Sequence, residues 1–354
     1  MRESPLARIL FAVFAALTVY ASLYPMEGWR GTGVSPFAYL TAPWPRHITS
    51  FDVVVNVLGY IPYGFLGAAA LQPRLRGARA FIAATASAAA LSLILEALQS
   101  YLPARIASNL DAICNVLGAA IGAAAAVRYG PSLFEEGAFA RARNRAFLRG
   151  GAIDLGLALM GLWLFIQLNP TSLLFGAGDL RELLGTREPR GERPAFFITI
   201  EALTSAANLT AAGLLLSCLA SSAAAVRVQI VALAAAALVV RAAAFAILMR
   251  AENVLAWLTH GAQIGLAVGV AVALGVVALP RGVRMMLAAL LIMAATVLVN
   301  LVPPNPYLAA SLKVWQQGHF LNFNGLTRLV SALWPFAALG YLMYLAGSRP
   351  RDAE

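Results

Sequence analysis

Three short stretches of this chain carry acids and amides at helical spacing in otherwise apolar surroundings. FDVVVNVLGYIPYGFLG holds Asp52 and Asn56 at i, i+4, LEALQ holds Glu96 and Gln99 at i, i+3, and NLDAICNVLG holds Asp111 and Asn115 at i, i+4. Each pair shares one face of a helix. Arg105 sits in the turn LPARIAS between the second and third stretches. Three chemistries suit such a set. An arginine beside amides recognises phosphate or carboxylate through a planar fork of donors. Carboxylates with amide oxygens can hold a hard cation, Mg²⁺ or Ca²⁺. A carboxylate in apolar surroundings can serve as a general acid or base, and Glu96 and Asp111 are the catalytic candidates.

Asp52, Asn56, Gln99, Arg105 and Asn115 are the ligand-binding candidates. The plainer account is helix-pairing glue, with Arg105 bridging Glu96 and Asp111. Against it, three acids facing one base leave negative charge over, and surplus charge favours a ligand. No Ser-His-Asp or Cys-His arrangement and no glycine-rich phosphate loop accompanies these residues. Whether a bond is made or broken is left open.

The elements that must position this set are membrane spans. With 60% hydrophobic residues, 12% charged residues and a mean hydropathy of +0.76, the chain exceeds what a soluble domain hides in its core. Crossing about 30 Å of hydrocarbon takes about 20 apolar residues. Ten windows qualify: 7–24, 52–71, 80–101, 110–128, 150–168, 197–218, 227–248, 254–279, 284–302 and 328–346. A spanning segment satisfies its own backbone hydrogen bonds, and barrel-type alternation is missing, so the expected class is an all-α, polytopic transmembrane bundle.

The net charge of +10 does not point to nucleic acid, because the arginines follow the membrane. With the N-terminus cytoplasmic, Arg2, Arg8, Arg74, Arg76, Arg79, Arg128, Arg141, Arg143, Arg145, Arg149, Arg227, Arg281, Arg284, Arg349 and Arg351 fall inside, Arg30, Arg46, Arg105, Arg181, Arg187, Arg190, Arg193, Arg250, Lys313 and Arg328 outside, and Arg241 in a span. The short loops then show the inward bias that sets orientation, with both termini cytoplasmic in an inner membrane. Val19-Tyr20-Ala21 could be a signal cleavage site, but a retained first helix is the preferred reading. Cys114 and Cys218 fall in separate spans, without metal-ligand spacing, so neither a disulfide nor a zinc site is indicated.

The basic stretch RARNRAFLRG divides the chain into a four-span domain, 1–149, and a six-span domain, 150–354. Two long connections follow, at 169–196 and 301–327; the second is rich in Trp, Phe and Tyr and suits a segment at headgroup level. By the same topology Asp52, Glu96, Arg105 and Asp111 share one depth, the outer leaflet.

The order of these motifs resembles the VanZ-like membrane proteins, a family named after an accessory protein of teicoplanin resistance. Asp52, Asn56, Pro62, Gly64, Glu96, Gln99, Pro103, Arg105, Asp111, Asn115 and Gly118 match its pattern in turn, over residues 8–130. HFLNFNGLTRLVSALWPFAALGYL resembles the tail of longer family members. For some members the resemblance implies a link to glycopeptide resistance.

Elsewhere, Glu201 and Arg241 are expected to pair with each other, and Asp154 to sit at a helix N-terminus, where the dipole favours an acid. His260 reads as a helix contact and His319 as a headgroup-level anchor. The functional expectation is an envelope protein that binds or modifies a phosphate-bearing lipid or lipid-linked cell-wall intermediate through an outward-facing polar pocket. The alternatives are a secondary transporter, whose broken helices should recur in two related halves, and a structural subunit without a ligand.

Overall fold

The computed structural model describes residues 5–31, 33–44, 49–134, 137–181, 193–248, 254–303, 305 and 321–348. The helices are α1 (Pro5–Leu23), α2 (Ser50–Leu71), α3 (Ala78–Gln99), α4 (Asn109–Phe134), α5 (Ala138–Ala146), α6 (Gly151–Ile166), α7 (Pro194–Leu219), α8 (Ala223–Leu248), α9 (His260–Val276), α10 (Arg281–Leu301) and α11 (Leu321–Gly347), with a 3-10 turn at Ala38–Leu40. Among the described residues the only strand-like feature is an isolated bridge between Phe147 and Ala220. The chain is an all-α, multi-pass membrane protein.

Among the described residues eight helices, α1 to α4, α7, α8, α10 and α11, are long and apolar enough to cross a bilayer; α6 and α9 are shorter apolar helices. Both shorter helices stop inside the windows drawn from hydropathy, for local reasons. Beyond Ile166, Gln167, Asn169 and Pro170 open a buried turn. At the start of α9, the Thr259 hydroxyl caps the helix by accepting from the Ala262 N–H at 3.1 Å. The short basic helix α5 has no counterpart among the expected spans. Its Arg143 lies 3.9 Å from Asp154, which occupies the first turn of α6.

By its own packing the chain divides into two compact units, Met1–Arg145 with Arg149–Asp154, and Ala146–Leu148 with Leu155–Glu354. In the first unit α2 and α4 run side by side in the same direction, since Val57 meets Gly118 and Ile61 meets Gly122. A β-carbon on Gly118 would overlap the Val57 carbonyl, one on Gly122 the Ile61 carbonyl, and one on Gly64 the backbone of Ala119. Bare backbones are therefore in contact, the arrangement small residues at four-residue spacing permit in membranes. α3 closes on this pair through Ala80, Ala84 and Ala88, each fully buried on one face. α1 joins through Phe11, whose ring meets Tyr63 edge-on at 5.1 Å.

In the second unit α7 is the central helix, with 83% of its apolar window buried. α9 lies against it through Gly261, Gly265 and Gly269, where β-carbons would press on Glu201, Ser205 and the Ala206 backbone. The turn after α6 is buried too: Gln167, Asn169, Leu174, Phe175 and Ala177 are each at most 3% exposed. Non-helical backbone inside a helical membrane bundle must find partners in the protein. Here they come from several helices. The Gly178 N–H donates to the Ser331 carbonyl at 2.8 Å, an acceptor that Pro335, four residues on in α11 and without an N–H, cannot serve. Asn300 Nδ2 donates to the Gly178 carbonyl at 2.6 Å, and Asn300 Oδ1 accepts from the Leu180 N–H at 2.8 Å. Phe175 holds a left-handed φ of 59°, a conformation that costs a bulky residue about 1–3 kcal/mol. It is offset by stacking on Trp163 at 5.7 Å and by an N–H bond to Gln167 Oε1 at 3.1 Å.

Candidate functional site

The polar residues of the first unit gather where α2 and α4 begin and α3 ends. Helix capping explains part of the set. Thr49 stands at the N-cap of α2, where its hydroxyl accepts from the Asp52 N–H at 3.1 Å and donates to Asp52 Oδ2 at 2.6 Å. Ser108 does similar work ahead of α4, accepting from the Asp111 N–H at 3.4 Å. Asp52 and Asp111 thus occupy the same position, the third residue of a helix, where the dipole favours an acid. Because α2 and α4 run in parallel, the two capped ends bring these carboxylates close enough for their charges to interact. Asp52 is exposed and Asp111 half-buried.

Gln99 and Arg105 do something the sequence did not indicate. Gln99 Nε2 donates to the Ser22 carbonyl at 2.8 Å, Arg105 Nη2 to the Ala21 carbonyl at 2.8 Å, and Arg105 Nε to the Tyr24 carbonyl at 3.0 Å. The carbonyls of Ala21 and Ser22 lie in the last turn of α1, where they have no partner within their own helix, and that of Tyr24 follows directly. A cation at a helix C-terminus is also favourable to the dipole. The proposed bridge from Arg105 to Glu96 and Asp111 is not made: among the described residues no ion pair within 4 Å joins Arg105 to an acid. The carbonyls of α1 compete for the guanidinium and hold it by two nitrogens, leaving Nη1. Burial lowers the pKa of Arg105 from its ordinary value, while the charge of Glu96 opposes that shift.

The buried centre is Glu96, 3% exposed. Its Oε2 accepts from the Ser108 N–H at 2.9 Å, so the carboxylate ties α3 to the start of α4. Asp111 and Arg105 both lie within electrostatic reach. One turn deeper, Asn115 Nδ2 donates to Ser92 Oγ at 3.0 Å, but its Oδ1 is buried without a hydrogen-bond partner. The buried Tyr60 hydroxyl lies beside Ser92 and Ser22. Asn56 is half-buried one turn from Tyr60 on α2. Ser92, Glu96 and Gln99 mark one face of α3, Asp52, Asn56 and Tyr60 one face of α2, and Asp111, Asn115 and Gly118 one face of α4. The three faces converge.

The connection from α1 to α2 lies over this end. Tyr39, 6% exposed, donates its hydroxyl to the Leu93 carbonyl at 3.1 Å. Burial raises its pKa, and the nearby charge of Glu96 adds to that. Asn109 Nδ2 holds the same connection by the Ala42 carbonyl at 2.9 Å. Tyr39, Tyr60 and Ser92 were not among the residues singled out from sequence. Ser92 lies four residues before Glu96 and Tyr60 four after Asn56, so extending the helical spacing by one turn would have found both. Tyr39 comes from a loop, and no periodicity reaches it.

Among the described residues no three His, Cys, Asp or Glu side chains gather as metal ligands. Any Mg²⁺ or Ca²⁺ at this end would take at most two carboxylates and fill its shell from amides or a ligand.

In the second unit the expected pair of Glu201 and Arg241 is not formed. Arg241, 1% exposed, donates Nη1 to the carbonyls of Gln167 and Asn169 and to Ser172 Oγ, and Nη2 to the Ser172 carbonyl. The buried turn needs donors, and the guanidinium supplies them. Glu201 sits instead beside Thr259 and Gly261, at the start of α9. His260 is exposed at the same helix start. His319 and the aromatic segment around it lie outside the described residues.

Residues 8–130 match the VanZ/LLP1 family. No curated protein and no solved structure matches the chain.

Proposed function

We propose that this VanZ-like membrane protein uses the shared end of α2, α3 and α4 to hold the polar headgroup of a phosphate-bearing lipid or lipid-linked cell-wall precursor. One observation carries the reading: Asn115 Oδ1 is buried without a partner beside the buried Glu96. A buried polar group without a partner costs about 1–3 kcal/mol, and a structural polar network would satisfy its members. The open groups are mostly acceptors: Glu96 Oε1, Asn115 Oδ1 and the Asp111 carboxylate. They call for hydroxyls on the headgroup. Arg105 keeps Nη1 for the phosphate that joins such a headgroup to its lipid. Gln99 and the rest of Arg105 are framework, and Glu96 with Asp111 is the pair that would move a proton if the headgroup is modified. If the two shorter apolar helices cross as well, giving ten spans oriented by the inward arginine bias, this end faces the outer leaflet of the inner membrane, where cell-wall intermediates and glycopeptides meet. A role in glycopeptide resistance rests on that placement and on the family match.

Native mass spectrometry of the detergent-extracted full chain tests the site. The wild type should retain a lipid. Glu96→Gln and Asn115→Leu should lose it while melting near the wild-type temperature. Arg105→Gln and Gln99→Leu should lower stability by about 1–3 kcal/mol, because α1 carbonyls are left bare. Loss of stability in Glu96→Gln or Asn115→Leu with lipid retention unchanged would make the cluster structural and remove the proposal.

Orientation is tested separately. In a chain carrying Cys114→Ala and Cys218→Ala, Ser35→Cys should react with an impermeant maleimide on intact spheroplasts, and Ser132→Cys and Ser348→Cys only after lysis. Reaction at position 132 from outside would put the cluster in the cytoplasm.

A further inference from the structure

The second unit holds a cavity of about 60 Å³, on a scale where about 10–15 Å³ takes one water. Its walls come from the buried turn, through Ser172, Leu173 and Ala177, and from α7, through Phe197, Ile200 and Glu201; Val299 and Ser331 close it from α10 and α11. Asp179 and Arg181, paired with each other at 2.5 Å, also line it. Their charges cancel.

Glu201 is different. It is 7% exposed, and among the described residues no base lies within 4 Å of it. Arg241, whose charge reaches it, has both terminal nitrogens turned onto the carbonyls of the turn. Thr259 is its hydrogen-bonding neighbour. A buried carboxylate that lines a cavity and lacks a paired cation is costly as the anion; it either keeps its proton or takes a positive group that enters beside it.

The remaining walls set the shape of that group. Phe197, Ile200, Leu173 and Val299 give an apolar side for a few methylenes. The strained Phe175 and the buried turn keep the wall in place. We propose that this cavity is a second ligand site, independent of the VanZ-like cluster, that takes a small primary ammonium with its charge at Glu201 and its carbon chain against Phe197 and Ile200.

The test uses the full chain in detergent, with n-butylamine as probe and n-butanol and butyrate as controls, read by saturation-transfer NMR and by thermal shift. Butylamine should bind saturably to the wild type, and the two controls should not. Glu201→Gln should weaken butylamine by about tenfold or more, the loss of about 1.4 kcal/mol. Ile200→Trp, which fills the cavity and leaves the carboxylate, should abolish binding while the variant still melts cooperatively; it keeps the test informative if Glu201→Gln folds poorly. No saturable butylamine signal, equal binding of butanol, or undiminished binding in Ile200→Trp would overturn the proposal.

Discussion

Gly122→Leu is expected to leave no folded first unit, and Gly122→Ala to lower its stability by roughly 3 kcal/mol, the upper end of usual overpacking costs. The cause is backbone contact. A β-carbon at Gly122 falls on the Ile61 carbonyl and close to the Phe65 N–H, and no rotamer can move either atom aside. α2 and α4 must separate, and Gly118 and Gly64, packed on the same seam, would lose contact with them. Gly59→Ala is the control: it lies in α2 with nothing within 4 Å of an added β-carbon, so the gain in helix propensity of up to about 1 kcal/mol should show unopposed. Thermal denaturation in detergent, followed by the yield of monodisperse protein, separates the two positions. A Gly122→Ala variant as stable as Gly59→Ala would mean that the seam is looser than described.

Arg241→Met is expected to cost several kcal/mol, since each buried acceptor left without its donor costs about 1–3 kcal/mol. The methionine fills much of the same volume, yet it leaves the carbonyls of Gln167, Asn169 and Ser172 without their donor and gives up the contact of the guanidinium with Phe245, 5.8 Å from ring centre. Arg241→Lys should recover little, because one ammonium cannot span carbonyls that the planar fork reaches from two sides. Melting temperature and protease sensitivity of the 169–181 turn are the measurements. If Arg241→Met melts within about 2 °C of the wild type, well under the shift such a loss implies, the guanidinium is not what holds the turn.

Much of the helical frame was legible because hydropathy reports what a membrane requires of each segment. The windows at 52–71 and 80–101 coincide closely with α2 and α3. Partner choice was less legible. Helical spacing put Glu96 and Gln99 on one face, but it could not show that Gln99 and Arg105 turn to the end of α1, more than 70 residues earlier in the chain. Opposite charge suggested pairs of Arg105 with Glu96 and of Arg241 with Glu201. Bare carbonyls won both arginines, because a helix end and a buried turn leave carbonyls that no backbone N–H nearby reaches. Acceptors of that kind are a property of backbone geometry, which side-chain spacing does not encode.

The turn after α6 also bears on how the chain is made. When α6 leaves the ribosome, the N–H of Gly178 has no acceptor; Arg241 arrives with α8, Asn300 with α10, and the Ser331 carbonyl freed by Pro335 only with the last helix. Each partner lies farther along the chain than the one before, so the turn closes late and by contacts of long sequence separation, which slow folding. A chain halted before α11 would hold most of its apolar helices in the membrane and still expose an unfinished turn. In biosynthesis that turn is a natural mark by which a quality-control protease could tell a partial chain from a complete one.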